Sequence, residues 1–316
     1  MRATTNLPSD RMQRTVELLD RMSPLEGYNL TALPDVRFLR SNRALRQVPV
    51  LYDPGIVIVC QGRKRGYWGD RTYVYDAQHY LAVSIPVPFT METDASPQEP
   101  LLAIYLHLDI ALAAELLMEI EMQHLDTPAR PCSMMASPMA PAMAATVVRF
   151  LEIMAVSEDA PVLGRAMVRE IYYRVLQGPQ SAGLRAALGT HTPFGRIRRA
   201  IRRIHSDYAC PITVEQLARD ACMSVPTFHA QFKSATETSP MQYVKTVRLH
   251  QARLLMFRED MTAASAAAAV GYESPSQFSR EFKRLFDRTP TAEVAWMRSS
   301  FALPAKPSPS IYVASH

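Results

Sequence analysis

Two stretches of this 316-residue chain repeat one physical plan with a period of 50 residues, and that repeat constrains the fold more than any other feature. Ser224 matches Ser274, Phe228 matches Phe278, Phe232 matches Phe282, Lys233 matches Lys283 and Pro240 matches Pro290. Each copy reads as a short helix centred on Ala218 or Ala268, a tight turn, and a second helix that starts at a serine with a proline close behind. A serine there accepts a hydrogen bond from an orphaned backbone N–H, and an early proline sacrifices no helical bond. Phenylalanines four apart share one face of each second helix, so that face is buried. The outward side then carries Thr227, His229, Ala230 and Lys233 in the first copy, and Ser276, Gln277, Arg280 and Lys283 in the second. A helix predicted over 242–257, with Val244, Val247, Leu254 and Leu255 apolar, joins the copies as a rigid spacer. Two helix-turn-helix units held in this way suit successive major grooves of DNA, roughly 34 Å apart.

The charge distribution agrees with the repeat. Residues 191–300 hold 16 Lys+Arg against 10 Asp+Glu, whereas the rest of the chain holds 19 against 20. The basic excess therefore belongs to the repeat region, as expected of a module that neutralises phosphates. Cys60, Cys132, Cys210 and Cys222 lie far apart without Cys-x-x-Cys spacing, which argues against structural zinc and fits a reducing compartment, hence the cytoplasm. The first 27 residues lack the unbroken apolar stretch of a signal peptide. The apolar stretch over 101–120 is interrupted by His107, Asp109, Glu115 and Glu119, so no membrane span is expected.

The N-terminal half changes pattern. Short runs rich in β-branched and aromatic residues, at 36–40, 55–60, 71–75, 80–85 and 101–106, alternate with turn residues such as Asp53-Pro54-Gly55 and Gly69-Asp70. They predict a β-sheet or barrel, closed by a helix that starts after Asp109. Pro128, Pro131, Pro138 and Pro141 exclude one regular element over 126–141. Helical spacing returns over 142–156 and 163–177, and Gly178-Pro179 ends it. The expected architecture is α+β: a β-barrel domain over 1–125, a helical linker and possible dimerisation region over 126–190, an all-α double helix-turn-helix domain over 191–300, and a tail over 301–316.

The run from Val270 to Pro290, with Gly271, Tyr272, Ser274-Pro275, Gln277-Phe278 and Phe282-Lys283, resembles the DNA-binding domain of the AraC/XylS family of transcription regulators. The resemblance covers about the last 110 residues and implies a seven-helix domain with both second helices on double-stranded DNA. Carried onto matching positions, it makes Pro226, Thr227, His229 and Ala230, then Pro275, Ser276, Gln277 and Arg280, the base-facing residues. Arg280 and Gln277 rank highest, because bidentate Arg–guanine and Gln–adenine pairs discriminate between bases. Lys233 and Arg248 are expected at phosphates, and Lys283 is expected among the DNA-binding residues. Contact with RNA polymerase, activation of transcription and a homodimer are implied by the resemblance alone. Two departures concern the turns, where Glu237 and Asp287 replace the usual glycines. A third is the alanine-rich run 263–269, which predicts a thinner core in the second copy than Val214 and Leu217 give the first.

The N-terminal half, through Tyr52-Asp53-Pro54, Gln61-Gly62, Tyr73-Val74-Tyr75 and Leu108-Asp109, resembles the cupin-like domain of one AraC-type subgroup. That resemblance implies a barrel that senses a small-molecule effector, with Phe38, Tyr67, Trp68, Tyr73, Tyr75 and Tyr80 as aromatic candidates for the pocket. Each aromatic is more often plain barrel core. A metal-dependent cupin enzyme is the rival reading, but the strand region offers only His79 and His107 and no His-x-His pair, so neither a metal, a cofactor nor catalysis is expected. A redox or electrophile sensor built on Cys60, with Arg63, Lys64 and Arg65 lowering its pKa, is the other alternative, set against a buried strand cysteine. Cys210 and Cys222 are expected to pack in the helix-turn-helix core.

Overall fold

The computed structural model describes residues 7–121, 130–189 and 192–300. Helix α1 (Leu7–Met22) precedes nine strands: β1 (Gly27–Leu30), β2 (Val36–Ser41), β3 (Leu45–Tyr52), β4 (Gly55–Gln61), β5 (Arg63–Trp68), β6 (Arg71–Asp76), β7 (His79–Val83), β8 (Val87–Asp94) and β9 (Leu101–His107). Then come α2 (Ile110–Glu121), β10 (Met134–Pro138), α3 (Pro141–Met154), α4 (Ala160–Leu176) and α5 (Ser181–Leu188). Asp109 caps α2 as expected, its carboxylate accepting from the N–H groups of Ala111 and Leu112. The 126–141 stretch, read as a connector, contributes β10, which pairs with β7.

The strands form one antiparallel sheet in the order β1-β2-β9-β4-β7-β6-β5-β8-β3. Its ends, β1 and β3, do not pair with each other among the described residues, so the expected barrel is a curled, open sheet. The middle of the sheet, β4, β7 and β9, is buried on both faces. Ile56, Ile58 and Cys60 pack with residues of α1 to α4 on one face, while Val57 and Val59 join Tyr28, Tyr52, Tyr75 and Tyr105 on the inner face. Two-sided burial is why β4 and β9 read as unbroken apolar runs rather than as alternating strands.

The second half is all helix: α6 (Pro193–Asp207), α7 (Val214–Asp220), α8 (Val225–Thr236), α9 (Pro240–Arg258), α10 (Ala263–Ala269), α11 (Pro275–Phe286) and α12 (Pro290–Ser300). The core of the first unit, with Ile197, Ile201, Phe228, Phe232 and Val244, is continuous with the inner face of the sheet. The second unit has its own core. Where the first copy has Leu217 the second has Ala267, but where the first has Thr236 the second has Phe286. Phe278, Phe282 and Phe286 stack with centroid spacings of 5.4 and 4.5 Å, so the third ring fills space that alanine leaves. No described helix is long and apolar enough to cross a membrane.

Buried polar groups join the halves. The Tyr243 hydroxyl donates to the carbonyl of Pro86 at 2.9 Å and lies 2.8 Å from His205 Nε2. The Arg253 guanidinium, 2% exposed, meets Glu293 at 3.1 Å, the Pro49 carbonyl at 3.3 Å and the Phe286 ring at 4.5 Å. Pro49 lies on β3, so α9 covers an edge strand that would otherwise be open to other chains. Removing one member of such a pair leaves a buried charge uncompensated. Glu293→Gln is expected to lower stability to urea unfolding by about 3 kcal/mol, more than Arg298→Gln, whose side chain pairs with Asp260 at the surface.

Burial pushes the His205 imidazole down to about 3 and also holds His250 well below the usual range. Each is neutral when folded and takes up a proton readily when unfolded. The unfolded chain therefore binds more protons below about pH 6.5, and stability falls with acidification between that pH and the depressed folded values. The expected slope is at most about 1.4 kcal/mol per pH unit for each imidazole. His205→Gln, which keeps a hydrogen-bond donor for Tyr243, should flatten the profile of urea midpoint against pH.

Candidate nucleic-acid interface

Helices α8 and α11 are started by their serines. The N–H of Thr227 donates to Ser224 Oγ at 3.4 Å and that of Gln277 to Ser274 Oγ at 3.3 Å, with Pro226 and Pro275 in the first turns. The preceding short helices are capped too, α7 by a Thr213–Gln216 capping box and α10 by Thr262. Burial then fixes the rotation of each second helix. Phe228 and Phe232, and Phe278 and Phe282, are sealed inside. Pro226, Thr227, His229, Ala230 and Lys233 are exposed on α8, and Pro275, Ser276, Gln277, Arg280 and Lys283 on α11. Lys233, Arg280 and Lys283 form no ion pair among the described residues, which leaves their charges available to an anion.

Gln277 is less available. Its amide donates to Glu281 at 3.2 Å, and Glu281 also accepts from Lys245 at 2.8 Å and from Tyr272 at 2.7 Å. Burial raises the Glu281 carboxyl, but these hydrogen bonds and the Lys245 charge outweigh it and hold the group below the usual carboxylate range. An ordered carboxylate beside the reading face disfavours phosphate there, and Lys245 offsets it.

Arg248, expected at a phosphate, is engaged within the fold. Its guanidinium donates to the carbonyls of Tyr208 at 2.7 Å, Gly271 at 3.0 Å and Cys210 at 3.0 Å, tying α9 to the turns of both units. Gly271 has φ +82°, and a Cβ there would stand 2.5 Å from the Ala209 carbonyl, so only glycine lets the turn approach. The glycine-deficient turns keep their usual shape, with Glu237 at φ 56° and Asp287 at φ 58° in the left-handed region. Side chains are strained there. Asp287→Gly is expected to raise stability by about 0.5–1 kcal/mol, read as a higher midpoint in thermal unfolding.

The sensor candidates do not converge. Phe38 and Tyr80 lie on the helix-covered face, whereas Tyr75 lies on the inner face with its hydroxyl 3.3 Å from that of Tyr52. The Tyr67 hydroxyl donates to Glu92 at 3.0 Å. Trp68 and Tyr73, with ring centroids 6.4 Å apart, lie where the sheet meets the first helix-turn-helix unit. Lys64, 4% exposed, was not singled out as an interior cation, yet its ammonium donates to Tyr52 Oη at 3.1 Å.

That orientation also corrects the redox reading of Cys60. Lys64 turns to the inner face, Arg63 pairs with Asp76 and Arg65 with Glu92 and Asp94, while Cys60 lies on the opposite face. Burial pushes its thiol up to about 12, so it carries no reactive thiolate at neutral pH. Cys210 and Cys222, expected in the core, are exposed, because each falls in a turn outside its helix. His79 pairs with Asp76, and His107 lies toward the other end of β4. Among the described residues no three His, Cys, Asp or Glu converge as a metal group would require.

A curled sensor-like sheet fused to two exposed, serine-capped basic helices defines a two-part regulator of the helix-turn-helix class. Residues 32–183 match the family described as AraC-type transcriptional regulator N-terminus, and residues 217–294 match a helix-turn-helix domain family. The HTH-type transcriptional regulator AlkR of Acinetobacter baylyi is 36% identical over 91 residues, 29% of this chain and 30% of that protein. The transcriptional activator RhaS of Klebsiella pneumoniae is 30% identical over 95 residues, 30% of this chain and 34% of its own length. These alignments thus span about a third of each relative. The fold of ToxT from Vibrio cholerae matches with a TM-score of 0.56 at 12% identity, covering 82% of this chain and 98% of that one. The chain thus joins an N-terminus of the AraC-type transcriptional regulator family to a helix-turn-helix domain.

Proposed function

We propose that the protein binds operator DNA through α8 and α11 in successive major grooves and controls transcription in response to a small molecule sensed by the N-terminal half. The observation that carries the reading is the exposure of Lys233, Arg280 and Lys283 on helices whose opposite faces are locked by phenylalanine. Arg280 reads a guanine edge, and Gln277 joins the readout by exchanging its bond to Glu281 for one to an adenine. His229 and Thr227 face bases in the first groove, where Pro226 and Ala230 supply only apolar contact, as Pro275 does in the second beside the Ser276 hydroxyl. Lys233 and Lys283 face phosphates. Control by a small molecule is supported by the family match over 32–183. A homodimer built on α3 and α4, and contact with RNA polymerase, complete the reading; the exposure of Val162, Leu163 and Tyr173 on α4 favours that helix as a dimer surface.

Selection of bound fragments from genomic DNA, followed by titration at several salt concentrations, tests the central claim. Arg280→Ala should cost about 1–3 kcal/mol at its preferred site and relax discrimination at one position. Lys233→Ala should weaken binding to all sequences alike and reduce the salt slope by about one unit. Failure to enrich any sequence would overturn the reading, and equal loss of discrimination in both variants would overturn this division of labour.

A further inference from the structure

We propose that Glu281 is a positioning residue for base recognition: it fixes the Gln277 amide with its carbonyl oxygen outward, and so makes the second copy select the amino bases, adenine and cytosine, over guanine and thymine. This rests on the reading of α11 as a base-reading helix and deepens it.

Glu281 sits one turn beyond Gln277 on α11, with only 12% of its side chain exposed. Donors from three places hold it. Lys245 of α9 donates to Oε1 at 2.8 Å, Tyr272 in the turn before α11 donates to Oε2 at 2.7 Å, and the Gln277 amide donates to Oε1 at 3.2 Å. Tyr272 is itself pinned, its ring against that of Phe278 with centroids 5.4 Å apart. Burial raises the Glu281 carboxyl, but the bonds from Lys245, Tyr272 and Gln277 outweigh it and hold the group below the usual range. At neutral pH it is therefore a carboxylate, which only accepts.

A glutamine amide offers a donor on one side and an acceptor on the other, and its neighbours decide which faces outward. Reversed, Gln277 would set its oxygen against the Glu281 carboxylate, two acceptors in contact. The nitrogen therefore faces Glu281 and the oxygen is left for DNA. The first copy has no such device, because Thr227 and Gln231 stand where the second has Gln277 and Glu281.

The four major-groove edges respond differently to that oxygen. Cytosine N4 donates to Oε1 while the bond to Glu281 stays intact. Adenine N6 donates to Oε1 and adenine N7 accepts the N–H that Glu281 gives up, so two bonds form for one broken. Guanine offers O6 and N7 and thymine offers O4, acceptors only. The N–H that leaves Glu281 then gains one bond for the one it loses, and Oε1 is turned toward another acceptor or the thymine methyl. The second amide N–H lies beside Oε1 and carries that oxygen to whatever edge it meets. Glu281 thus disfavours the keto bases without touching DNA itself.

The test is selection of bound duplexes from a randomised library by the full chain, followed by sequencing. The position read by Gln277 is the one whose preference disappears in Gln277→Ala. There the unsubstituted chain is expected to favour adenine or cytosine over guanine and thymine by about fivefold or more, the worth of one net hydrogen bond. Glu281→Gln is nearly isosteric but can turn either end of its own amide to Gln277. It should bring that ratio within about twofold and leave the preferences at other positions unchanged. In the Gln277→Ala background, Glu281→Gln should have no further effect at this position. Thermal unfolding checks that each variant folds, and the base preference of the unsubstituted chain tests the proposal without any Glu281 variant. A preference for guanine or thymine overturns it. So does a Gln277→Ala variant that alters no position, an unchanged ratio in Glu281→Gln, an equal loss of preference at every position, or an effect that persists without Gln277. If the unsubstituted chain enriches no sequence the regulator reading fails as well, whereas an enriched site without the amino-base preference removes only this role of Glu281.

Discussion

The organisation of this protein depends on an apolar core that does not stop at a domain boundary. Rings and branched side chains on the inner face of the sheet run without a break into the packing of α6, α8 and α9. The first helix-turn-helix unit is therefore built partly on the sensor half, while the second keeps a separate core. Interiors close-packed in this way transmit displacement rather than absorb it. A change in the sheet bears on α8 through the shared core and on α11 through β3 and α9, while the carbonyls that Arg248 gathers tie the two units together.

The two copies of the repeat are alike in outline and unlike in physics. Both begin with a serine cap and end in a left-handed residue. The first relies on Leu217 and a shared core; the second replaces that leucine with Ala267 and recovers the volume with a third stacked phenylalanine. The second also carries the guanidinium suited to base discrimination, and its packing against β3 runs through the buried Arg253–Glu293 pair. A buried ion pair with good geometry specifies an arrangement more than it stabilises one. Here it fixes where α9 and α12 meet the edge of the sheet.

Much of the exposed face of α8 and α11 was legible in the sequence because helical periodicity is local: phenylalanines at i and i+4 determine what remains outside. Arg248 was not legible. Its position in the sequence is that of a surface arginine, and only the approach of two turns to α9 supplies the three carbonyls that occupy it. The aromatic candidates of the sensor failed to converge for a related reason. Alternation along a strand assigns a side chain to one of two faces without saying which face is covered by helices, so Phe38 and Tyr80 fell on one and Tyr75 on the other.

The repeat, the caps and the strand runs, all set by local propensity and spacing, determined by themselves that the chain has a sheet-forming half and two helix-turn-helix units. Long-range packing decided the rest: that the sheet curls without closing, that Cys60 and Lys64 face opposite ways, and that Trp68 and Arg71 stand against α8. The last of these joins residues more than a hundred positions apart, and no periodic signal in a sequence spans such a distance.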